Sequence, residues 1–482
     1  MNDMERACIF AKSIVVVSIL TILLQTVSQG AEKSIEGIWM GVLKVSVAEL
    51  RIVFKISKDK DGSLSAKMDS PDQGAENIPV SKVTFENGNL HLESEVIRGA
   101  YDGTLQSDDS IEGTWKQSGL SFPLVLKRTE EAPKLHRPQE PTKPYPYVEE
   151  EVGYENTEAG IRLAGTLTFP KAGGPFPAVI LISGSGAQDR NETVVGHRPF
   201  LVLADFLTRK GIAVLRLDDR GVGGSTGNTL EATSEDFAGD VLVGVKFLKT
   251  RKEIDPNKIG LIGHSEGGII APIAAVKSPD VAFIVLLAGT GLTGEEILYL
   301  QSDLILKSIG ASEKVQAMER SSSEQIFDVI KHEQDRAVAE TKIRKIMTDS
   351  LGKLSDQEKE ALGASEAAIE VQLKMILSPW FRFFLEYDPK PTLMKVKCPV
   401  LAMCGQLDLQ VPPKENLSAM EEALKAGGNS NCTIKEFPGL NHLFQKSQTG
   451  AISEYAKIEE TMAPAALETI SQWILLQTEK MK

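Results

Sequence analysis

Cysteine is scarce in this sequence, aromatic side chains make up only 6% of it, and basic charge is nowhere gathered into a run. Cys8 lies in the N-terminal leader, so Cys398, Cys404 and Cys432 remain, an odd number without the close pairing of a metal site. A disulfide framework is therefore not implied. At most one bridge could form, and Cys404, inside an apolar strand, reads as an inert core thiol. The net charge of −13, with no basic stretch, excludes nucleic acid and anionic membrane surfaces as partners and favours a neutral or cationic small molecule. A long hydrophobic run is missing too: the apolar stretch 14–24 falls short of the roughly 20 residues a span needs. Arg6 and Lys12 precede it, and Ser28-Gln29-Gly30 offers the small residues of a cleavage site, so residues 1–30 read as an export signal. An uncleaved anchor is the alternative. Because Cys8 comes before the apolar stretch, a lipoprotein cleavage site is not expected. The expected location is periplasmic or secreted, with no stable membrane insertion after cleavage.

What is present is a soluble composition, 42% hydrophobic and 25% charged over 482 residues, with room for more than one domain. Residues 31–128 alternate with period two (Ile52, Phe54, Ile56; Leu90, Leu92; Phe122, Leu124, Leu126) between turn signals such as Asp61-Gly62 and Asn87-Gly88, which predicts a small antiparallel β domain. Trp39 and Trp115 are expected to fill its core. Residues 129–147 carry Pro133, Pro138, Pro141, Pro144 and Pro146, a composition that favours an extended linker and opposes packing. From 148 to 482 the pattern changes to continuous apolar runs, including Ala178-Val179-Ile180-Leu181-Ile182, Ile212-Ala213-Val214-Leu215, Phe283-Ile284-Val285-Leu286-Leu287 and Val400-Leu401-Ala402-Met403. Strands buried on both faces look like this, so a mainly parallel sheet flanked by helices is predicted. Two helices are read at 200–210 and 234–249, the second with Ser234 as its N-cap. Residues of about 293–395 break the rhythm with a strandless, helical texture. They are expected to form a cap over the strand ends, with some rings of Trp380-Phe381-Arg382-Phe383-Phe384 facing a pocket.

The Gly-x-Ser-x-Gly pattern occurs twice, so the pattern alone decides little. Gly223-Gly224-Ser225-Thr226-Gly227 leads into polar sequence and reads as a loop. Gly263-His264-Ser265-Glu266-Gly267 instead follows a strand and opens a small-residue helix, the setting in which a sharp turn exposes a nucleophilic serine. Such a serine needs a base oriented by a carboxylate, arriving in the order Ser, acid, His. Of the six histidines, only His442 follows the last expected core strand. Asp408 emerges from the carboxyl end of the strand that reaches Cys404, whereas its competitors Glu295 and Glu296 open a helix, where acids need no catalytic explanation. Oxyanion donors are expected from the backbone N–H of Glu266 and from the loop Ser183-Gly184-Ser185-Gly186, with Ser185 chosen over Gly186. Asp218, Asp219 and Arg220 read as a hydrogen-bonded turn. Asp189, Arg190 and His197 could border the pocket.

From about residue 150 to its end the chain resembles bacterial exported α/β-hydrolases of the carboxylesterase kind, in Ser183-Gly184-Ser185-Gly186-Ala187-Gln188-Asp189-Arg190, Leu217-Asp218-Asp219-Arg220-Gly221-Val222-Gly223, Gly263-His264-Ser265-Glu266-Gly267-Gly268, Trp380-Phe381-Arg382 and Gly439-Leu440-Asn441-His442. The resemblance implies an α/β-hydrolase fold. Where lipases carry a His-Gly oxyanion loop, this chain has Ser183-Gly184. The expected reaction is hydrolysis of a small-molecule carboxylic ester by Ser265, His442 and Asp408 through an acyl-enzyme, without metal or organic cofactor. A serine peptidase or amidase, and more remotely a non-catalytic binding protein, are the alternatives. Oligomeric state is not legible.

Overall fold

The alternating N-terminal segment forms nine antiparallel strands: β1 (Gly37–Val45), β2 (Ala48–Lys58), β3 (Leu64–Ser70), β4 (Ala75–Pro79), β5 (Lys82–Glu86), β6 (Asn89–Ser94), β7 (Gly99–Ser107), β8 (Ser110–Gln117) and β9 (Leu120–Thr129). Their order is β4-β3-β2-β1-β9-β8-β7-β6-β5, and β3 also meets β5, so the sheet curls back on itself. The alternation sends one set of side chains inward. Trp39, Phe54, Tyr101 and Trp115 are buried there, as the core-filling reading requires, and the Tyr101 hydroxyl donates to the carbonyls of Ile111 and Leu124. The computed structural model describes residues 34–45, 48–73, 75–117, 120–132, 136–362 and 364–481; the export signal expected at 1–30 lies outside them.

The second sheet has eight strands, β10 (Tyr147–Asn156), β11 (Ile161–Pro170), β12 (Phe176–Ile182), β13 (Ala213–Leu217), β14 (Ile254–His264), β15 (Phe283–Leu287), β16 (Val400–Gly405) and β17 (Cys432–Phe437), in the order β10-β11-β13-β12-β14-β15-β16-β17. From β13 to β17 all pairings are parallel, while β10 and β11 add an antiparallel edge. β15 and β16 are buried throughout. Helices α1 (Pro199–Arg209), α2 (Ser234–Lys249) and α3 (Gly267–Lys277) pack on this sheet. Between β15 and β16 lie α4 (Gly294–Ser308), α5 (Glu313–His332), α6 (Arg336–Leu351), α7 (Asp356–Leu362), α8 (Glu366–Ile376), α9 (Pro379–Glu386) and α10 (Lys390–Leu393). They share a second apolar cluster of their own around Phe327, Ile343, Trp380 and Phe381. α11 (Pro413–Ala426) and α12 (Pro464–Lys480) complete the sheet's cover.

Two expectations need correction. The N-cap of α2 is Thr233, in a capping box with Asp236, and not Ser234; the Ser234 hydroxyl is buried and donates instead to Glu266 Oε1 at 2.7 Å. The proline-rich segment, which turns between Arg137 and Glu140, is not free of packing. The Arg137 guanidinium donates to the carbonyls of Val195, Gly196, Ala456 and Ile458 at 2.8 to 3.3 Å, and the Gln139 side chain bonds the backbone of Thr461 and Met462. Proline removes donors from the segment's own backbone, yet its polar side chains still reach carbonyls on two loops. Both sheets lie within one compact unit, residues 36–482. Among the described residues no helix is long and apolar enough to cross a membrane, and Cys398, Cys404 and Cys432 are all free thiols.

Candidate active site

β14 ends at His264, α3 begins at Gly267, and Ser265 stands between them with φ +52°. That left-handed conformation is costly for a residue with a side chain and persists only where its surroundings enforce it. Here they do. The Ser265 N–H donates to the Leu287 carbonyl at 2.8 Å, and its own carbonyl accepts from Gly268. A Cβ on Gly263 would sit 1.9 Å from the Gly267 oxygen, and one on Gly267 would sit 2.3 Å from the Ile182 oxygen. Glycine at both positions is what lets strand, turn and helix close on one another. The other match, at Gly223-Gly224-Ser225-Thr226-Gly227, is a loop. Ser225 is buried there, donating to the Asp218 carbonyl and accepting from the N–H of Ala164.

Asp408 follows β16, and its carboxylate is buried. Oδ1 accepts the N–H groups of Gln410 and Val411 at 2.8 Å each, and Oδ2 lies 2.8 Å from His442 Nδ1. With Nδ1 donating to the carboxylate, Nε2 of His442 is left as the basic nitrogen. The loop carrying His442 is shaped by Asn441, whose side-chain oxygen accepts the N–H groups of Leu443 and Gln445. Ser265, His442 and Tyr455 border one cavity of about 280 Å³. Among the described residues, Ser265 Oγ makes no hydrogen bond.

The proposed oxyanion donors lie on the same cavity. Ser185 and Glu266 both line it, and neither N–H donates to an acceptor among the described residues. The Gly184 N–H, by contrast, is taken by Glu192 Oε1 at 2.7 Å. Asp219 accepts from the Ser183 hydroxyl and the Gln188 N–H, so the turn after β13 holds both ends of this loop. Burial pushes the Asp219 carboxyl up to about 7, against those two donors. Asp218 is spanned by Arg190 and accepts the Gly224 N–H, the hydrogen-bonded turn read from the sequence. Arg220 pairs with Asp240. Glu295 and Glu296 open α4, where Glu296 completes a capping box with Thr293. His197 is buried away from the cavity, its Nε2 donating to the Tyr455 carbonyl at 2.9 Å.

Four contacts at this site were not read from the sequence. Glu192 bonds His264 Nδ1 at 2.8 Å, and His264 Nε2 donates to the His442 carbonyl at 3.1 Å. Both ring nitrogens of His264 thus meet acceptors, which only the imidazolium satisfies in full. Burial opposes that charge, but the Glu192 carboxylate outweighs it and raises the His264 pKa. The Glu266 side chain, buried beside Ser265, accepts from Trp380 Nε1 at 2.9 Å as well as from Ser234; burial raises its pKa. No group of three His, Cys, Asp or Glu side chains among the described residues is placed to hold a metal ion.

Comparison with known proteins finds similarity to hydrolases. The model of the serine aminopeptidase S33 family matches residues 198–355. Esterase EstD of Thermotoga maritima is 27% identical over 374 residues, which cover 77% of each chain. Among solved structures, a Pyrococcus furiosus esterase superposes with a TM-score of 0.40 at 15% identity, covering 69% of this chain and 91% of that one. The α/β-hydrolase GrgF from a Penicillium species gives a TM-score of 0.40 at 16% identity, covering 61% of this chain and 91% of its own. The family match and the esterase relative point the same way: the chain is a carboxylesterase-like hydrolase, similar to α/β-hydrolases of the esterase kind.

Proposed function

We propose that this protein hydrolyses small carboxylic esters with Ser265 as nucleophile, His442 as general base and Asp408 as the group that orients and charges the histidine. The observation that carries the reading is the 2.8 Å bond from Asp408 to His442 Nδ1 beside a serine forced to positive φ on the same cavity. Ser265 Oγ attacks the ester carbonyl while its proton passes to His442 Nε2, and Asp408 stabilises the imidazolium. The N–H groups of Glu266 and Ser185 receive the oxyanion. As the tetrahedral intermediate collapses, His442 returns the proton to the departing alcohol. Water, deprotonated by the same histidine, then releases the acid. No cofactor enters these steps. Helices α4 to α10 serve as a cap over the cavity, to which they contribute Ile297, Leu298, Trp380, Phe381 and Phe384.

The family's description as serine aminopeptidases gives a second reading, cleavage of an amide next to a free α-amino group. Such a substrate needs a carboxylate to hold its ammonium. The two carboxylates lining the cavity are both engaged: Glu192 by His264 and Gly184, Glu266 by Ser234 and Trp380. This favours the ester. Turnover of p-nitrophenyl acetate against aminoacyl arylamides separates the two readings. Ser265→Ala should lower ester turnover by at least about 10⁴-fold and abolish labelling by a fluorophosphonate, with the fold intact. Unchanged turnover in that variant rejects the proposal.

A further inference from the structure

The cavity at Ser265 is not the largest space in this part of the molecule. A second cavity, of about 480 Å³, lies among α4, α5, α6, α8 and α9, and Leu298, Gln301 and Phe381 line both. The two are therefore neighbours across a shared wall of one helical turn of α4 and one ring of α9. Beyond that wall the lining is mainly aliphatic and aromatic, including Ile305, Val315, Ile326, Phe327, Met347 and Ile369. Its hydroxyls make few demands on a guest: Ser322 and Ser350 bond one another at 2.7 Å. The ionisable residue on its boundary, Glu319, has its carboxyl pKa raised by burial, which favours the neutral acid beside an apolar occupant. A well-packed helical layer leaves few voids larger than a water molecule, so a space of this size beside a reactive serine calls for an occupant.

We infer that this second cavity receives a long unbranched alkyl chain of the ester substrate, entering past Leu298, Gln301 and Phe381 from the carbonyl held at Ser265. The inference rests on the ester-hydrolase reading for the carbonyl's position, and on the shared lining and apolar walls for the chain's path. An alkyl chain suits the space because burial of each methylene is favourable, while the cavity's lining is mainly apolar and Glu319 is the one acidic or basic side chain among the described residues on it. The chain could belong to the acid or to the alcohol, and its chemistry at the cavity wall is the same in either case.

The test uses the full-length protein and two ester series, p-nitrophenyl alkanoates from acetate to dodecanoate and alkyl acetates from ethyl to dodecyl. In one of them kcat/KM should rise about two- to fourfold per added methylene before levelling off; which one rises identifies the side of the ester that carries the chain. Ile305→Trp, which fills the second cavity one turn beyond Gln301, should leave acetate turnover unchanged and remove the rise. Ser302→Phe makes the same test should the tryptophan variant fail to fold. Flat or falling profiles in both series, in an enzyme that hydrolyses acetate, overturn the inference, as does a chain-length rise that survives both fillings. Calorimetric binding of dodecanoate and dodecanol to the Ser265→Ala protein provides a readout without catalysis. Binding weakened at least tenfold by Ile305→Trp supports the chain site even if ester turnover itself is absent, and no binding of either amphiphile counts against it.

Discussion

Glu192 Oε1 lies 2.8 Å from His264 Nδ1, and the same oxygen takes the Gly184 N–H at 2.7 Å. Since His264 Nε2 donates to the His442 carbonyl, one buried carboxylate connects the loop 183–186, the residue before Ser265 and the loop that carries His442. Replacing Glu192 with Ala frees Gly184 and leaves His264 without its counter-charge. The expected result is a fall in kcat of about 10- to 100-fold, below the loss from deleting an oxyanion donor itself, with a smaller change in KM. Steady-state kinetics with a circular-dichroism control measures it; a kcat equal to the parent's would show that the loops keep their places without this carboxylate.

The glycines of the turn make opposite predictions from one located elsewhere. Gly263→Ala puts a methyl 1.9 Å from a backbone oxygen, with no flexible neighbour to yield. It should cost more than about 4 kcal/mol, among the largest single-residue effects. Gly239, inside α2, would bring its methyl within 4 Å of nothing, so Gly239→Ala should add about 0.5 to 1 kcal/mol through helix propensity. Thermal unfolding of the two variants beside the parent checks both signs.

His197 supplies the pH dependence. Burial, with Arg137 nearby, pushes its pKa down from 6.5 to about 4. The folded state therefore prefers the neutral ring. Between these two values the unfolded chain binds the proton and the folded chain does not, so stability from this group is fully present above pH 6.5 and drains away as pH falls towards 4. The slope approaches about 1.4 kcal/mol per pH unit. His197→Gln, which keeps a donor for the Tyr455 carbonyl, should flatten the decline in urea midpoint between pH 6.5 and 4. Parallel declines in parent and variant would assign the effect to other groups.

The sequence disclosed those parts of the site whose cause is local. A strand, a glycine-bounded turn and a small-residue helix are contiguous around Ser265, and chain order then directs attention to Asp408 and His442, which the structure brings within hydrogen-bonding distance of each other. Glu192 was passed over because it lies 72 residues from its histidine partner, and nothing in its own neighbourhood distinguishes it from Asp189 or Arg190. The edge strand β10 went unread because Glu149-Glu150-Glu151 and Gly153 hide the apolar signal of a strand with one face towards solvent. The N-cap of α2 was misplaced by one residue because Ser234 and Thr233 are equally good caps in isolation; only the buried Glu266 carboxylate, 32 residues away, claims the first.

Arg137 gives the proline-rich segment a meaning that its composition conceals. Its guanidinium gathers carbonyls from 195–196, three residues after Glu192, and from 456–458, adjoining Tyr455 on the cavity. The residues leading from one sheet to the other are in this sense a rivet through two loops that border the cavity at Ser265. The junction between the β domain and the hydrolase is thus a poor place to divide the gene: a catalytic half starting at β10 would keep every strand of its sheet and lose the fastening that holds those two loops together.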